Sequence, residues 1–450
     1  MRRLLPHLVA ALLLSCAPTS ENAPPEPGSR PETMPEQTSA PAVPETTVRA
    51  GASPAYGYTH GEPSGNRVVE GVGDLPGSEP LDVRLEGEPL WIVGAPFGED
   101  TAWVVVLADG RVRGLRIEGE SGEIERLSVE PGRIIPGAPP ALEATGDGLR
   151  LLSTPGSSSL THPIPAASGL LGVSENGRLF AEPGEAPPVR PLPDARLVES
   201  QSGRIAVFSG PTRRYKHGVL GDGLEAKSIT VLKPGREGYE IADRVRPESG
   251  GVFEGIAPLW FVSGGEELLA VTESAAGVGS RVAVYEPGGA LFAAGPFIGE
   301  AMKWRHVLAA GPFAPGGEME IAAVRTPHLS PIVEFYRLDR AAGRLKVSAT
   351  LAGYTSHRIG ARNLDTALAG DFDGQSGWEL LLPDTSYTRL GAIRRAQNGA
   401  GMAWTLTLGG ELSTNLASVT DARGRLYVAA GREDGVLRIW GREGEARDSK

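Results

Sequence analysis

Cysteine occurs once in the 450 residues, at Cys16, so no disulfide can form within the chain and an apolar core must hold any folded part. Long apolar runs are missing too. The best one, at residues 4–14, is interrupted by Pro6 and His7 and reaches about half of the roughly 20 residues that a membrane-spanning helix needs. With 61 glycines and 38 prolines, sustained helical periodicity is scarce, which excludes a helix bundle. Basic charge falls short of acidic charge, and the formal net charge of −11 argues against a general nucleic-acid or anionic-membrane surface. Catalytic signatures are also lacking: there is no Gly-x-Ser-x-Gly, His-Glu-x-x-His or Gly-x-x-x-x-Gly-Lys. Asp and Glu are numerous, so a carboxylate pair of glycosidase type stays open.

What is present begins around the single cysteine. Arg2 and Arg3 precede the apolar run, and Leu13-Leu14-Ser15 leads into Cys16. This resembles a bacterial lipoprotein signal, which implies that residues 1–15 are removed, that Cys16 is acylated, and that a lipid bilayer is the first partner. Several acyl chains, at about 0.8 kcal/mol per buried methylene, anchor stably where a single chain is marginal. The plainer reading is a secretory peptide with an incidental cysteine. Residues 16–50 are rich in Pro, Glu, Ser and Thr and poor in large apolar side chains, so a disordered tether is expected there. The expected location is the cell envelope, and Ala17 in place of Asp points to the outer membrane if the cell has two.

Beyond the tether, short apolar strands recur. Segments 91–93, 149–152, 204–208, 267–271, 320–324, 379–382 and 425–429 are spaced by about 55 residues, close to propeller blades of roughly 40 to 50 residues plus loops. Second strands follow by hairpins at 281–285, 331–336, 390–394 and 436–440. A sheet this small cannot bury both faces alone, whereas blades stacked around an axis can. The expected fold is therefore all-β, a seven-bladed β-propeller over residues 51–440 followed by a polar tail at 441–450. Six or eight blades stay open because 132–221 is weakly marked, and a β-helix is the other architecture. Residues 81–85 are placed to pair with the last blade near Trp440 and close the ring.

One turn is more specific. Gly370-Asp371-Phe372-Asp373-Gly374-Gln375-Ser376-Gly377-Trp378-Glu379 runs into an apolar strand, and 311–324 keeps the same frame without the acids. The pattern resembles the FG-GAP or VCBS repeat of integrin-α-like propellers. That resemblance implies a calcium ion held by Asp371, Asp373, Gln375 and Glu379, because a hard cation needs six to eight oxygens from a short loop. Alternatively, Asp371 and Asp373 hydrogen-bond the turn's own amides. Residues 431–440 look like a PQQ-like or WD-type closing hairpin, which bears on architecture alone.

Four histidines fall in polar loops with basic neighbours: Arg214, Tyr215 and His217; Arg305 and His306; Arg325 and His328; His357 and Arg358. Converging loops would line one mouth of the axial channel and suit an anionic or carbohydrate ligand. The competing reading has these residues tying blades together through backbone carbonyls. A metal held by His217, His306, His328 and His357 is disfavoured by the adjacent cations. The functional expectation is a monomeric, lipid-anchored propeller acting as a binding module for an envelope protein or a glycan. The alternatives are an envelope polysaccharide hydrolase or lyase working at the axial mouth, and a scaffold for outer-membrane assembly.

Overall fold

A computed structural model describes residues 53–441, apart from 120, 167 and 168. Cys16, the 16–50 tether and the 442–450 part of the tail lie outside the described residues. The described chain is built of short strands, with one turn of 3-10 helix at Gly218–Leu220.

Six regular antiparallel units follow one another. The first joins Pro89–Phe97, Asp100–Leu107, Val112–Ile117 and Ile124–Leu127 in that order. Units with the same strand order occupy 198–245, 252–294, 305–352 and 368–407. In the last unit, Leu412–Thr420, Leu426–Arg432 and Val436–Trp440 supply three strands, and Leu81–Arg84 adds the fourth by pairing with Val436–Trp440. Leu81 lies opposite Ile439 and Arg84 opposite Val436, so the closure expected at 81–85 is present. The register leaves Asp82 bonded to Arg438 at 2.6 Å on the outer edge.

The apolar clusters show how the units sit together. Val282, Val284, Ile321 and Tyr336 form one core between units 252–294 and 305–352. Phe313, Phe335, Leu380 and Leu382 join 305–352 to 368–407, and Leu381, Leu390, Leu416 and Trp440 join 368–407 to the last unit. Ile92, Trp103, Ala429 and Ile439 then join the last unit back to the first. Packing passes from unit to neighbour and returns to its start, which is a β-propeller and excludes a β-helix. Both faces of the middle strands are therefore covered: Asp100–Leu107 and Glu379–Pro383 are buried along their whole length. That is why these strands read as largely apolar runs, while the outer strand Ile124–Leu127 alternates between exposed and half-buried positions.

The ring is uneven between 129 and 182. There Ala141–Thr145 pairs with Gly148–Leu151, which also pairs with Val129–Glu130, and a separate sheet holds Ile164–Ala166, Gly169–Val173 and Leu179–Glu182. Six blades are regular and this stretch forms an irregular arc where the sequence is weakly marked. Five of the seven repeat segments fall in second strands of regular blades, 91–93 lies in a first strand, Pro89–Phe97, and 149–152 lies in the irregular arc.

Candidate functional site

First strands of propeller blades line the axis, and here the axis is filled by the chain itself. Residues 55–75 run through it and touch the inner strands all the way round. Tyr58 pairs with Ala141, and Pro63 and Ser64 accept hydrogen bonds from the backbones of Glu199 and Trp260. The Asn66 side chain exchanges two bonds with Ala310, at 2.8 and 2.9 Å. Val68 pairs with Ala369, and Thr420 donates to the Glu70 carbonyl at 2.5 Å. The approach is close enough to need glycine: a Cβ on Gly57 would lie 2.2 Å from the Gly94 oxygen. The open channel expected from the sequence is thus a plugged one, because the plug gives the inner strands the backbone partners they would otherwise lack.

All six histidines of the described chain gather around this plug. His306 Nδ1 lies 2.9 Å from Ser356 Oγ, which lies 3.0 Å from His357 Nδ1. His357 Nε2 lies 2.8 Å from His328 Nε2. Trp304 stacks on His306 and meets His357 edge-on. Neutral imidazoles satisfy this chain in either direction, whereas protonating both His357 and His328 would set two donors face to face. Burial holds His306 and His357 well below the usual imidazole range, and burial together with His217 brings His328 down to about 4. His60 and His162 stack in parallel behind them, both buried, with His162 lowered to about 4 by burial.

A buried charge cluster connects the two groups. Asp365 bonds Arg67 at 2.9 Å and also Arg196, and all three are almost fully buried. Burial alone would raise the Asp365 carboxyl, but the two guanidinium groups hold it well below the usual carboxylate range. On the same side His217 pairs with Glu254 at 2.7 Å and lies edge-on to Tyr215, and Glu254 also accepts from Ser274. Burial and the nearby Glu254 push the Glu225 carboxyl well above the usual carboxylate range. The space beside these groups, lined by His60, Arg67, Arg196, Glu254, Thr272 and His306, is about 30 Å³. That holds a water, not a sugar ring.

The four loop histidines singled out in the sequence, His217, His306, His328 and His357, do come together at one end of the axis. Their basic neighbours face elsewhere. Arg305 is buried against Glu334 at 2.8 Å and donates to the Ser280 carbonyl at 2.6 Å, tying two blades. Arg325 also reaches Glu334, at 3.3 Å. Arg358 lies over the Tyr387 ring and pairs with Glu411 at 2.8 Å. Arg214 is exposed at the surface. At Arg305, Arg325 and Arg358 the basic groups are thus taken up by Glu334 and Glu411 of the fold, while Arg214 stays at the surface. His60, His162, Arg67, Arg196 and Asp365 were missed. Nothing in their local sequence marks them, since their partners are up to 298 residues away.

The acidic turn lies between Leu368–Asp371 and Glu379–Pro383. Asp371 and Asp373 accept the Gly374 and Gln375 amides at 2.8 and 2.9 Å, and Glu379 accepts the Phe372 amide at 3.0 Å. Although the three carboxylates cluster within 4.8 Å, Arg394 already bonds both Asp373 oxygens at 2.6 Å and Glu379. Trp404 donates to Asp373 at 3.0 Å, and Gln375 is exposed. These residues do not fit calcium. A guanidinium supplies the positive charge that an ion would otherwise supply.

At the opposite end of the plug the surface opens into a funnel of about 470 Å³. Val68, Val262, Pro312, Met319 and Trp378 form its apolar wall, and Glu62, Glu70 and Glu199 stand in it. Trp378 leaves the acidic turn and lies on Gly311, where a Cβ would come 2.9 Å from its ring, with Phe313 edge-on beneath. Burial raises Glu62, with Glu70 adding to it, and burial raises Glu199.

No protein family and no curated protein matches the chain by sequence. Among solved structures, a chain of the mitotic checkpoint complex aligns over 83% of this chain and 96% of its own, at 11% identity and a TM-score of 0.43. The WD40 domain of Toxoplasma gondii coronin aligns over 84% and 90%, also at 11% and 0.43. The propeller assignment rests on the strand order and the closed ring of packing.

Proposed function

We propose that this protein is a lipid-anchored component of a cell envelope whose propeller is a binding module for another envelope protein. The observation that carries the reading is the contrast along the axis. At the histidine end the buried His60 and His306 border only about 30 Å³ of space, whereas the carboxylate and tryptophan funnel opens to about 470 Å³. Chemistry on a polysaccharide would need its acid and base to face an opening, and His60, His306 and His357 are buried. Cys16, the lipoprotein-like residues before it and the Pro- and Glu-rich 17–50 segment support anchoring at a membrane surface, on the outer membrane where there are two. Within this reading the 370–382 turn is an FG-GAP or VCBS-like blade turn in which Arg394 stands in for the ion.

The test is metabolic labelling with a fatty acid, combined with photo-crosslinking from Met319 in the funnel, in cells producing the full chain. Acylated, membrane-bound protein that loses both label and membrane association in Cys16→Ser, with a discrete crosslinked protein, is the expected outcome. Protein that is unlabelled and free, or that cleaves envelope polysaccharide when purified, would overturn the reading.

A further inference from the structure

The funnel has a chemistry of its own, and naming its ligand rests on the binding-module reading above. Its wall is apolar and partly aromatic, while its polar content is one-sided. Glu62, Glu70 and Glu199 make no ion pair with any described residue. Several buried carboxylates are matched: Asp365 has two arginines, and Glu334, Glu320 and Glu379 each have at least one, although Glu225 at the histidine end has none among the described residues. In the funnel three unmatched carboxylates stand together beside an accessible space. Glu267 at its edge is taken up by Ser200 and Ser202.

We propose that the funnel docks an extended peptide segment bearing a lysine or arginine beside an apolar or proline residue, contributed by the partner protein. The cation would enter among Glu62, Glu70 and Glu199, with its aliphatic stem along Met319 and Pro312. Trp378 offers a ring face to a cation or a proline, and its position is held by Gly311 and Phe313. The volume of about 470 Å³ falls in the range of roughly 300 to 1,000 Å³ typical of sites for small ligands or short segments. A neutral glycan could stack on Trp378 but would leave three carboxylates unmatched, two of them already disfavoured as anions by burial. A positive charge removes that cost, so the observations favour a cationic peptide.

The experiment is fluorescence anisotropy on the full chain in detergent. The probes are labelled hexapeptides containing one Arg and one Pro, the same peptides with Glu in place of Arg, and neutral chito-oligosaccharides. The Arg peptides are expected to bind, to weaken at high salt, and to lose at least tenfold in affinity in the double variant Glu62→Gln, Glu199→Gln and again in Trp378→Ala, with melting temperatures kept near wild type. Equal binding of the Glu peptides, undiminished affinity in the double variant, or retention of oligosaccharides in place of Arg peptides would overturn the proposal. A partner protein that crosslinks from other surface positions but never from Met319 would sink this inference while leaving the binding-module reading intact. If Arg peptides dock in the funnel but Cys16 carries no lipid, the envelope reading fails and this one stands.

Discussion

The two ends of the axial plug solve opposite problems with the same kind of residue. At the histidine end, charge is buried and cancelled: Asp365 sits between Arg67 and Arg196, and four buried imidazoles are kept neutral. At the funnel end, three carboxylates are left partly exposed and unmatched. Most of the histidines and arginines that look functional by type are buried or paired within the fold, while three glutamates and a tryptophan line the funnel. In this propeller, chemical character marks function only once burial and pairing are known.

The comparison can be broken most forcefully at Asp365. Asp365→Asn leaves two buried guanidinium groups without a counter-charge and should destabilise the propeller by about 3–5 kcal/mol, read from denaturant unfolding. A loss below about 1 kcal/mol would mean that the cluster is hydrated and that the histidine end is not closed.

Acid should act next. A buried histidine held near pH 4 stays neutral in the fold, while the unfolded chain protonates near pH 6.5. Its contribution is therefore complete above about pH 6.5 and is lost as the pH falls towards 4. Glu225 and Asp194, raised by burial, shift stability in the other direction, so differences between variants are the clean measure. The stability of wild type relative to His162→Gln should fall by about 2–3 kcal/mol between pH 7 and pH 4.5. A difference that does not change with pH would place His162 in contact with solvent.

Arg394 tests whether the acidic turn belongs with the matched end or the unmatched one. Arg394→Gln should cost about 1–2 kcal/mol and make the melting temperature rise with added calcium, because Asp371, Asp373 and Glu379 would then face one another. Wild type should ignore a calcium chelator. A chelator response in wild type would show that the arginine and an ion share the site.

Legibility of the fold followed periodicity. Strands buried on both faces by neighbouring blades repeat at a steady spacing, and 81–85 could be assigned to the last blade because an unpaired apolar strand needs an edge. The weak marking of 132–221 corresponds to a real irregularity between 129 and 182, while 198–245 is a regular blade whose second strand the sequence had located. The axial plug was illegible for a physical reason. Its stretch from Thr59 to Val68 forms hydrogen bonds to many strands and packs a face against none, so it carries neither a period of two nor one of 3.6. The histidines were legible as a group because they are few. Their role was not, because it depends on Asp365 and Ser356, which look like loop residues.

The smallest effect has the opposite sign and is the sharpest test of the comparison. Glu62 and Glu199 have raised carboxyl pKa values, from burial in both and from Glu70 beside Glu62, so their folded forms take up protons more readily than the unfolded chain does. Such a group favours the fold below its unfolded pKa and loses that advantage as the pH rises through its folded pKa, leaving a net cost at pH 7. Replacing both with Gln removes the cost, and since both are partly exposed the gain should stay under about 1 kcal/mol. The denaturation midpoint of Glu62→Gln, Glu199→Gln should therefore lie slightly above wild type at pH 7 and merge with it near pH 4. Destabilisation at pH 7 would mean that the two glutamates are matched by groups of the fold after all. Neutral stability combined with lost peptide binding would instead locate their purpose outside the molecule, in the partner.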